Sequence, residues 1–410
     1  MVFRPEQITN KSIKSNYVES ILGEKIHPII QQEGVWDIDY PWQIPHVEKW
    51  LRQNQFTETR SIYEEEKIRI GSSKKNEKTQ TEEKRLLITT VPFGEIDSKV
   101  LKMLEAVGHI KYTINPLNRK LKEDELREMI PDYDLLIAGT EPITKKVLEN
   151  AHKLKLISRV GIGLDSVDLN AARDLGIKVS YTPDAPSPAV AELTIGHMLN
   201  LLRHIPSVDR NIRAGIWSRF QGQRLANMTI GVIGTGRIGM RVLKHLQGFS
   251  PAKILVNDLN INKELYKVYN AEYVEKEELY AASDIITLHV PLTKTTKDLI
   301  GLEQIELMKT SALLINTSRG GIINEDDLFE ALSSNRIAGA AIDVFESEPY
   351  AGNLVELENC YFTCHMGSMT TDCRATMEIE ASKEVIRYVN GEDLLNSVPE
   401  AEYQSQLEEI

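Results

Sequence analysis

The stretch MTIGVIGTGRIGMRVLKHLQGF, Met228–Phe249, decides how this chain folds. Thr229–Ile233 is an apolar run of strand length, and a helical pattern begins directly after Gly234, Gly236 and Gly239. A strand, a glycine turn and a helix in that order have a specific physical use. The first glycine permits the tight turn, the second lets backbone approach a pyrophosphate, and the third allows close packing of the helix. The helix start then offers free N–H groups and a partial positive charge to the phosphates. Taken alone the spacing also fits a plain structural turn. Asp258 changes that, because it ends the next strand, ILVND, nineteen residues after Gly239. A carboxylate there can hold the adenine ribose diol and would repel a 2′-phosphate. Leu259 and Asn260, which follow, supply no cation to offset that repulsion, so NAD is favoured over NADP.

Working outward, short apolar strands alternate with amphipathic helices on both sides of this segment, the pattern of parallel α/β architecture. Leu86–Thr90, Leu135–Ala138 and Leu156–Val160 read as buried strands of a first series, with helices over Ser98–Val107 and Glu123–Met129. The second series runs from Thr229–Ile233 through Ile254–Asn257, Ile285–His289 and Ala312–Asn316 to Ala338–Asp343. The fold class expected is α/β, with two doubly wound parallel-sheet domains, Rossmann-like and flavodoxin-like, a cleft between them and a small N-terminal extension. Before the first series, Gly71–Lys84 (GSSKKNEKTQTEEK) contains no apolar side chain and reads as a linker. Residues 1–70 hold Trp36, Trp42 and Trp50, three of the four tryptophans, and suggest a small ordered module of docking or dimerisation type. Within it, VWDIDYPWQI (35–44) resembles the closing segment of sugar nucleotidyltransferases, without their Gly-rich nucleotide loop.

The 410 residues are enough for two or three domains. With 48 Lys+Arg against 60 Asp+Glu, the formal charge is −12, which argues against nucleic acid or an anionic membrane as the main partner. Gly391–Ile410 alone carry six acids and no base, so the charge of the rest of the chain does not exclude a small anionic substrate. No run approaches the roughly 18 apolar residues of a membrane span. The three cysteines, Cys360, Cys364 and Cys373, lie too close together for a disulfide framework or a spaced zinc site, so no metal and a cytoplasmic location are expected.

Three chemistry-bearing side chains stand just past the ends of apolar runs, where open α/β sheets place their ligand crevice. They are Arg319 in LLINTSRG, Glu348 in AIDVFESEP and His365 in TCHMGSMT, with Asp343 beside them. A guanidinium holds a carboxylate bidentately and polarises the adjacent carbonyl. An imidazole passes a proton to or from the substrate oxygen, and a carboxylate bonded to it fixes its tautomer and favours its protonated form. Each alone has a bland reading: Arg319 as a surface ion-pair residue, Glu348 as a solvated loop acid, His365 as a satisfied structural histidine. Together, after a dinucleotide fingerprint, they suit 2-oxo acid chemistry.

Residues from about Leu86 to Pro399 resemble NAD-dependent D-isomer-specific 2-hydroxyacid dehydrogenases, nearest to the phosphoglycerate dehydrogenase and glyoxylate/hydroxypyruvate reductase branch. The resemblance is carried by SRVGIGLDSVDL, AVAELTIGHML, VIGTGRIG, HVPLTKTTKDLI, MKTSALLINTSRGGIINEDDLFEAL, AGAAIDVFESEP and the HMGS turn. It implies a substrate domain over 85–185 and 367–400, interrupted by an NAD domain over 186–366 and followed by an acidic tail, 401–410. It implies Arg319, Glu348 and His365 as catalytic residues, Arg237 and Ile238 on the pyrophosphate, and Asp258 on the ribose. Val290, Pro291, Thr317, Ser318, Asp343 and Gly367 would line the nicotinamide side. Amides of Val160, Gly161, Ile162 and Gly163 would grip the substrate carboxylate, with closure hinged near Pro186 and Gly367. A homodimer through the NAD domain is also implied.

Several residues depart from the family pattern. Cys364 replaces the proline before the histidine, and Ser166 replaces the asparagine after the loop aspartate. AGTEPIT (138–144) lacks the arginine that helps hold phosphate in some phosphoglycerate dehydrogenases, leaving Arg159 and Arg219 as candidate phosphate ligands. The serine-pathway regulatory domain is not expected, since the chain stops ten residues beyond Glu400. The competing expectation is a redox-sensing scaffold, as in the resembling corepressors, which keep the NAD cleft without turnover.

Overall fold

The computed structural model describes residues 83–408, all within the compact unit Thr81–Ile410. The aromatic module expected over 1–70 and nearly all of the linker therefore lie outside the described residues.

Two parallel sheets form the unit, as the alternating pattern predicts. The first contains β1 (Lys84–Ile88), β2 (Ile110–Ile114), β3 (Leu135–Ala138), β4 (Leu156–Arg159) and β5 (Lys178–Ser180), in the order β2-β1-β3-β4-β5. The second contains β6 (Thr229–Ile233), β7 (Lys253–Asn257), β8 (Ala271–Tyr273), β9 (Ile285–Leu288), β10 (Leu313–Asn316), β11 (Gly339–Ile342) and β12 (Cys360–Phe362). Its order is β12-β11-β10-β9-β6-β7-β8. These are the flavodoxin-like and Rossmann orders, and in each the ligand crevice is expected beyond the carboxyl ends of the strands. Central strands are buried along their whole length, as in LLIA of β3 and IITL of β9, because helices cover both faces.

The chain crosses between the sheets twice. Helix Ser187–Arg203 follows the first crossing and packs on the second sheet, joining Ile230, Val242, Leu246 and Ile315 in one buried cluster. After β12 the chain returns. Helix Thr371–Val389 lays Cys373, Met377, Ala381 and Val385 against Leu86, Ile88, Leu135 and Leu156 of the first sheet, and Ser158 Oγ donates to its Ala381 carbonyl at 2.9 Å. Beyond it, Val398 N donates to Val179 O at 3.2 Å, tying the chain to edge strand β5.

The sequence reading leaves the acidic end as a tail. In the structure Glu400–Glu408 are a helix docked on helix Leu169–Asp174. Arg173 explains the docking: its guanidinium lies 3.8 Å from the Tyr403 ring centroid and donates to Glu400 at 2.9 Å.

Candidate active site

Arg319 is presented by the turn after β10. Asn316, the last residue of that strand, folds the turn: its Oδ1 accepts from Ser318 N (3.0 Å) and Ser318 Oγ (2.7 Å), and its Nδ2 donates to Arg319 O (2.8 Å). The guanidinium then reaches the loop after β4 in the first sheet. Nε donates to Asp165 Oδ1 at 2.9 Å, and Nη1 donates to Ser318 O at 2.6 Å. Nη2 lies so close to Gly163 that a Cβ there would stand 1.7 Å from it, so any larger residue would displace the guanidinium from this position. Burial pushes the Asp165 carboxyl up, but the Arg319 charge and hydrogen bond outweigh it and hold the group below its usual range.

His365 and Glu348 meet on the neighbouring strand ends. His365 Nδ1 lies 2.9 and 3.1 Å from the two Glu348 oxygens, and Glu348 Oε1 also accepts from Phe345 N at 3.1 Å. For Glu348, burial raises the pKa, yet the His365 hydrogen bond and charge together leave it lowered. With Nδ1 turned to a carboxylate, the tautomer is set and Nε2 is left for a substrate oxygen. His365 itself has φ +53°, a left-handed conformation rare for a side chain of this size. The turn is held by Asp343, which is buried: its carboxylate accepts from Thr363 Oγ1, from Met366 N (2.8 Å) and from Gly367 N (2.9 Å), while His365 N donates to its carbonyl (2.7 Å). Asp343, expected on the nicotinamide side, thus spends its carboxylate on the His365 turn. Cys364 is exposed and takes no part in these bonds.

The substrate loop keeps fewer amides free than its sequence suggests. Of the four amides expected to grip a carboxylate, Val160 N donates to Ala138 O (2.8 Å) and Gly161 N to Thr182 Oγ1 (2.7 Å). Both are consumed in fixing the loop, which leaves Ile162 and Gly163, beside the Arg319 guanidinium. Ser166, the departure from the family asparagine, buries a hydroxyl without a partner among the described residues. Arg159 is buried, its Nη1 donates to Val160 O and its Nε has no partner among the described residues. Burial brings its pKa down to about 10, so it stays cationic at neutral pH. Arg219 lies on an exposed segment with Ile216, Trp217 and Phe220, and no hydrogen bond or ion pair joins it to the residues above.

The glycine turn after β6 fits a dinucleotide. A Cβ on Gly239 would lie 2.0 Å from the Gly234 carbonyl oxygen, and one on Gly234, at φ +90°, 2.4 Å from the His289 carbonyl oxygen, so packing requires both glycines. Gly236 faces open space, where a phosphate could approach the backbone. Asp258 Oδ2 accepts from Thr235 N (2.6 Å) and Thr235 Oγ1 (2.9 Å), which places a carboxylate at the lip of the turn. Ile238 is half-buried on the helix that follows. Arg237 Nε donates to Asp184 Oδ1 at 2.9 Å, across the first crossing between the sheets. Thr317 Oγ1 lies 2.9 Å from Thr194 Oγ1, so that hydroxyl serves helix Ser187–Arg203. Val290 is half-buried and Pro291 exposed beyond β9. A separate cavity of about 310 Å³ lies beside the crossing, lined by Asp184, Glu192, Asp372 and Glu380 among others. Its four carboxylates make it unsuited to an anionic acid, and none of the three catalytic candidates lines it. Among the described residues no cluster of metal-ligating side chains occurs, and no helix is long and apolar enough to cross a membrane.

A dinucleotide turn, an arginine and a histidine–carboxylate pair at the strand ends define an oxidoreductase of the 2-oxo acid kind. Residues 195–367 match the family described as D-isomer specific 2-hydroxyacid dehydrogenase, NAD binding domain. The chain is 36% identical over 324 residues to the glyoxylate reductase of Thermococcus litoralis, covering 74% of this chain and 97% of that protein. It is 41% identical over 319 residues to the D-3-phosphoglycerate dehydrogenase of Methanocaldococcus jannaschii, covering 76% of this chain but only 59% of that longer protein. Among solved structures, the D-lactate dehydrogenase of Aquifex aeolicus, complexed with NAD and lactic acid, superposes with a TM-score of 0.68 at 29% identity, over 76% of this chain and 98% of that one. The chain belongs to the D-isomer specific 2-hydroxyacid dehydrogenase family. Membership places it among NAD-dependent dehydrogenases, and NAD is the dinucleotide its binding domain is built for.

Proposed function

We propose that this chain interconverts a D-2-hydroxy acid and its 2-oxo acid, with 3-phosphoglycerate, hydroxypyruvate and glyoxylate as the leading substrate classes. The observation that carries this reading is the paired contact of His365 Nδ1 with both Glu348 oxygens, at 2.9 and 3.1 Å, on the strand ends beside Arg319. When bound, the reduced cofactor supplies a hydride to C2 of the oxo acid. Arg319 and the amides of Ile162 and Gly163 hold the substrate carboxylate and orient its carbonyl. His365, oriented by Glu348, delivers the proton to the carbonyl oxygen from Nε2 in reduction and recovers it in oxidation. The buried cation of Arg159 supports a substrate bearing a second anionic or polar group. The assembled trio also favours turnover over the scaffold reading.

In this reading residues 85–185 with 367–400 bind the acid and 186–366 bind NAD, with closure hinged near Pro186 and Gly367. Two copies pair through the NAD domain, where Ile205, Ile212, Ile216, Trp217 and Phe220 form an exposed apolar surface. Three free cysteines support a reducing, cytoplasmic setting. The test is purified protein with NADH and a panel of glyoxylate, hydroxypyruvate, 3-phosphohydroxypyruvate, pyruvate and 2-oxoglutarate. Turnover of at least one is expected. Tight NADH binding without turnover of any would sink the enzyme reading.

A further inference from the structure

Helix Glu400–Glu408 does more than dock. Most of its contacts are with helix Leu169–Asp174: Arg173 holds Tyr403 and Glu400, and Asn170 Nδ2 donates to Tyr403 O at 3.2 Å. Gln406 differs, because it addresses the loop before that helix. Its Oε1 accepts from Leu169 N at 2.9 Å, and its Nε2 donates to Val167 O at 2.9 Å and to Leu164 O at 3.4 Å. The two carbonyls bracket Asp165, whose Oδ1 receives Arg319 Nε. The same short loop carries the Ile162 and Gly163 amides. The uncharged amide both accepts from a backbone N–H and donates twice to backbone carbonyls; a carboxylate would repel the carbonyls and an ammonium could not accept.

We propose that Gln406 is a positioning residue for the substrate loop, acting through the Leu164 and Val167 carbonyls to fix Asp165 and thereby Arg319. It touches no reacting atom, and the inference rests on the assignment of Arg319 to the substrate carboxylate. Loop placement enters the rate steeply, since displacing a substrate-orienting group by about 1 Å can cost up to a hundredfold. Because the loop meets the acid and not the cofactor, its loosening acts on one substrate only.

The experiment compares the full chain with Gln406→Ala and Gln406→Glu. Gln406→Ala should raise KM for the 2-oxo acid by about tenfold and leave KM for NADH unchanged. It should also speed hydrogen exchange at the amides of residues 162–168. Gln406→Glu keeps the acceptor for Leu169 N and loses both donors, so it should resemble Gln406→Ala. If Gln406 merely docked the helix, Gln406→Glu would restore wild-type behaviour, and that result overturns the proposal. Unchanged exchange in the loop, or equal changes in both KM values, overturns it as well. If wild type turns over no acid of the panel, the proposed function falls while the exchange measurement still decides the role of Gln406.

Discussion

Arg319 Nε donates to Asp165 Oδ1 at 2.9 Å, so a guanidinium at the end of a strand in one sheet is held by a carboxylate from a loop of the other. The pair spans the cleft and fixes the guanidinium proposed for the substrate carboxylate. It leaves Nη2 over Gly163 as the free edge of the fork.

Replacing Asp165 by Asn keeps an acceptor for Nε but removes the charge. Asp165→Asn should lower kcat/KM for the 2-oxo acid by about ten- to a hundredfold, with NADH affinity unchanged. Steady-state kinetics with a fluorescence titration of NADH would show it. A parallel loss of NADH binding would mean that Asp165 supports the fold of the cleft and not the arginine.

Glu348 has a lowered pKa: burial, the largest single influence, raises it, but the His365 hydrogen bond and charge and the Phe345 N–H together outweigh burial. The sign follows: its contribution to stability is present above the ordinary carboxyl value of 4.5 and is lost as pH falls through the lowered folded value. At working pH the carboxylate holds His365 Nδ1 and with it the aim of Nε2. Glu348→Gln should lower kcat/KM for reduction by about tenfold or more, with NADH affinity unchanged. An unchanged kcat/KM would remove Glu348 from that role.

His289 is held neutral by burial, its pKa pushed down to about 3 from 6.5, with Nε2 3.0 Å from Thr287 Oγ1. The unfolded chain takes up this proton first as pH falls below 6.5, so stability declines with acidity over the interval down to about 3. His289→Gln should flatten the fall of Tm with decreasing pH below 6.5. His197, also lowered by burial, leaves a residual slope. An identical slope in the variant would mean that other groups carry the acid sensitivity.

The strands that the apolar runs do not announce are β2, β5, β8 and β12, and these are the four edges of the two sheets. The physical reason is their exposure. IKYTI of β2 buries only Ile110 and exposes Lys111 and Thr113, and AEY of β8 has no fully buried residue, whereas central strands such as IITL are buried throughout. An apolar run therefore reports the middle of a parallel sheet and misses its rim. Two of the catalytic candidates were legible for a related reason: Arg319 and Glu348 follow the announced strands β10 and β11, whereas His365 follows the unannounced β12 and was legible from its own chemistry. The residues that aim them were not. Asp165, Asn316, Thr363 and Gln406 act through bonds to partners distant in sequence or to turn backbone, which no periodicity encodes. Asp165 could have been suspected as an acid within a glycine-rich loop; Gln406, in an acidic segment, carried no such signal.

Helix Thr371–Val389 and the return to β5 have a consequence for biosynthesis. The second sheet, with the helices between its strands, is contiguous in the chain from Thr229 to Phe362 and can assemble as soon as it leaves the ribosome. The first sheet is synthesised earlier, but on one face Val100 and Leu104 cover it only in part until Met377, Ala381 and Val385 complete the layer. The order of translation and the order of completion are therefore inverted, and the older half of the cleft must be shielded from aggregation until the last helices emerge.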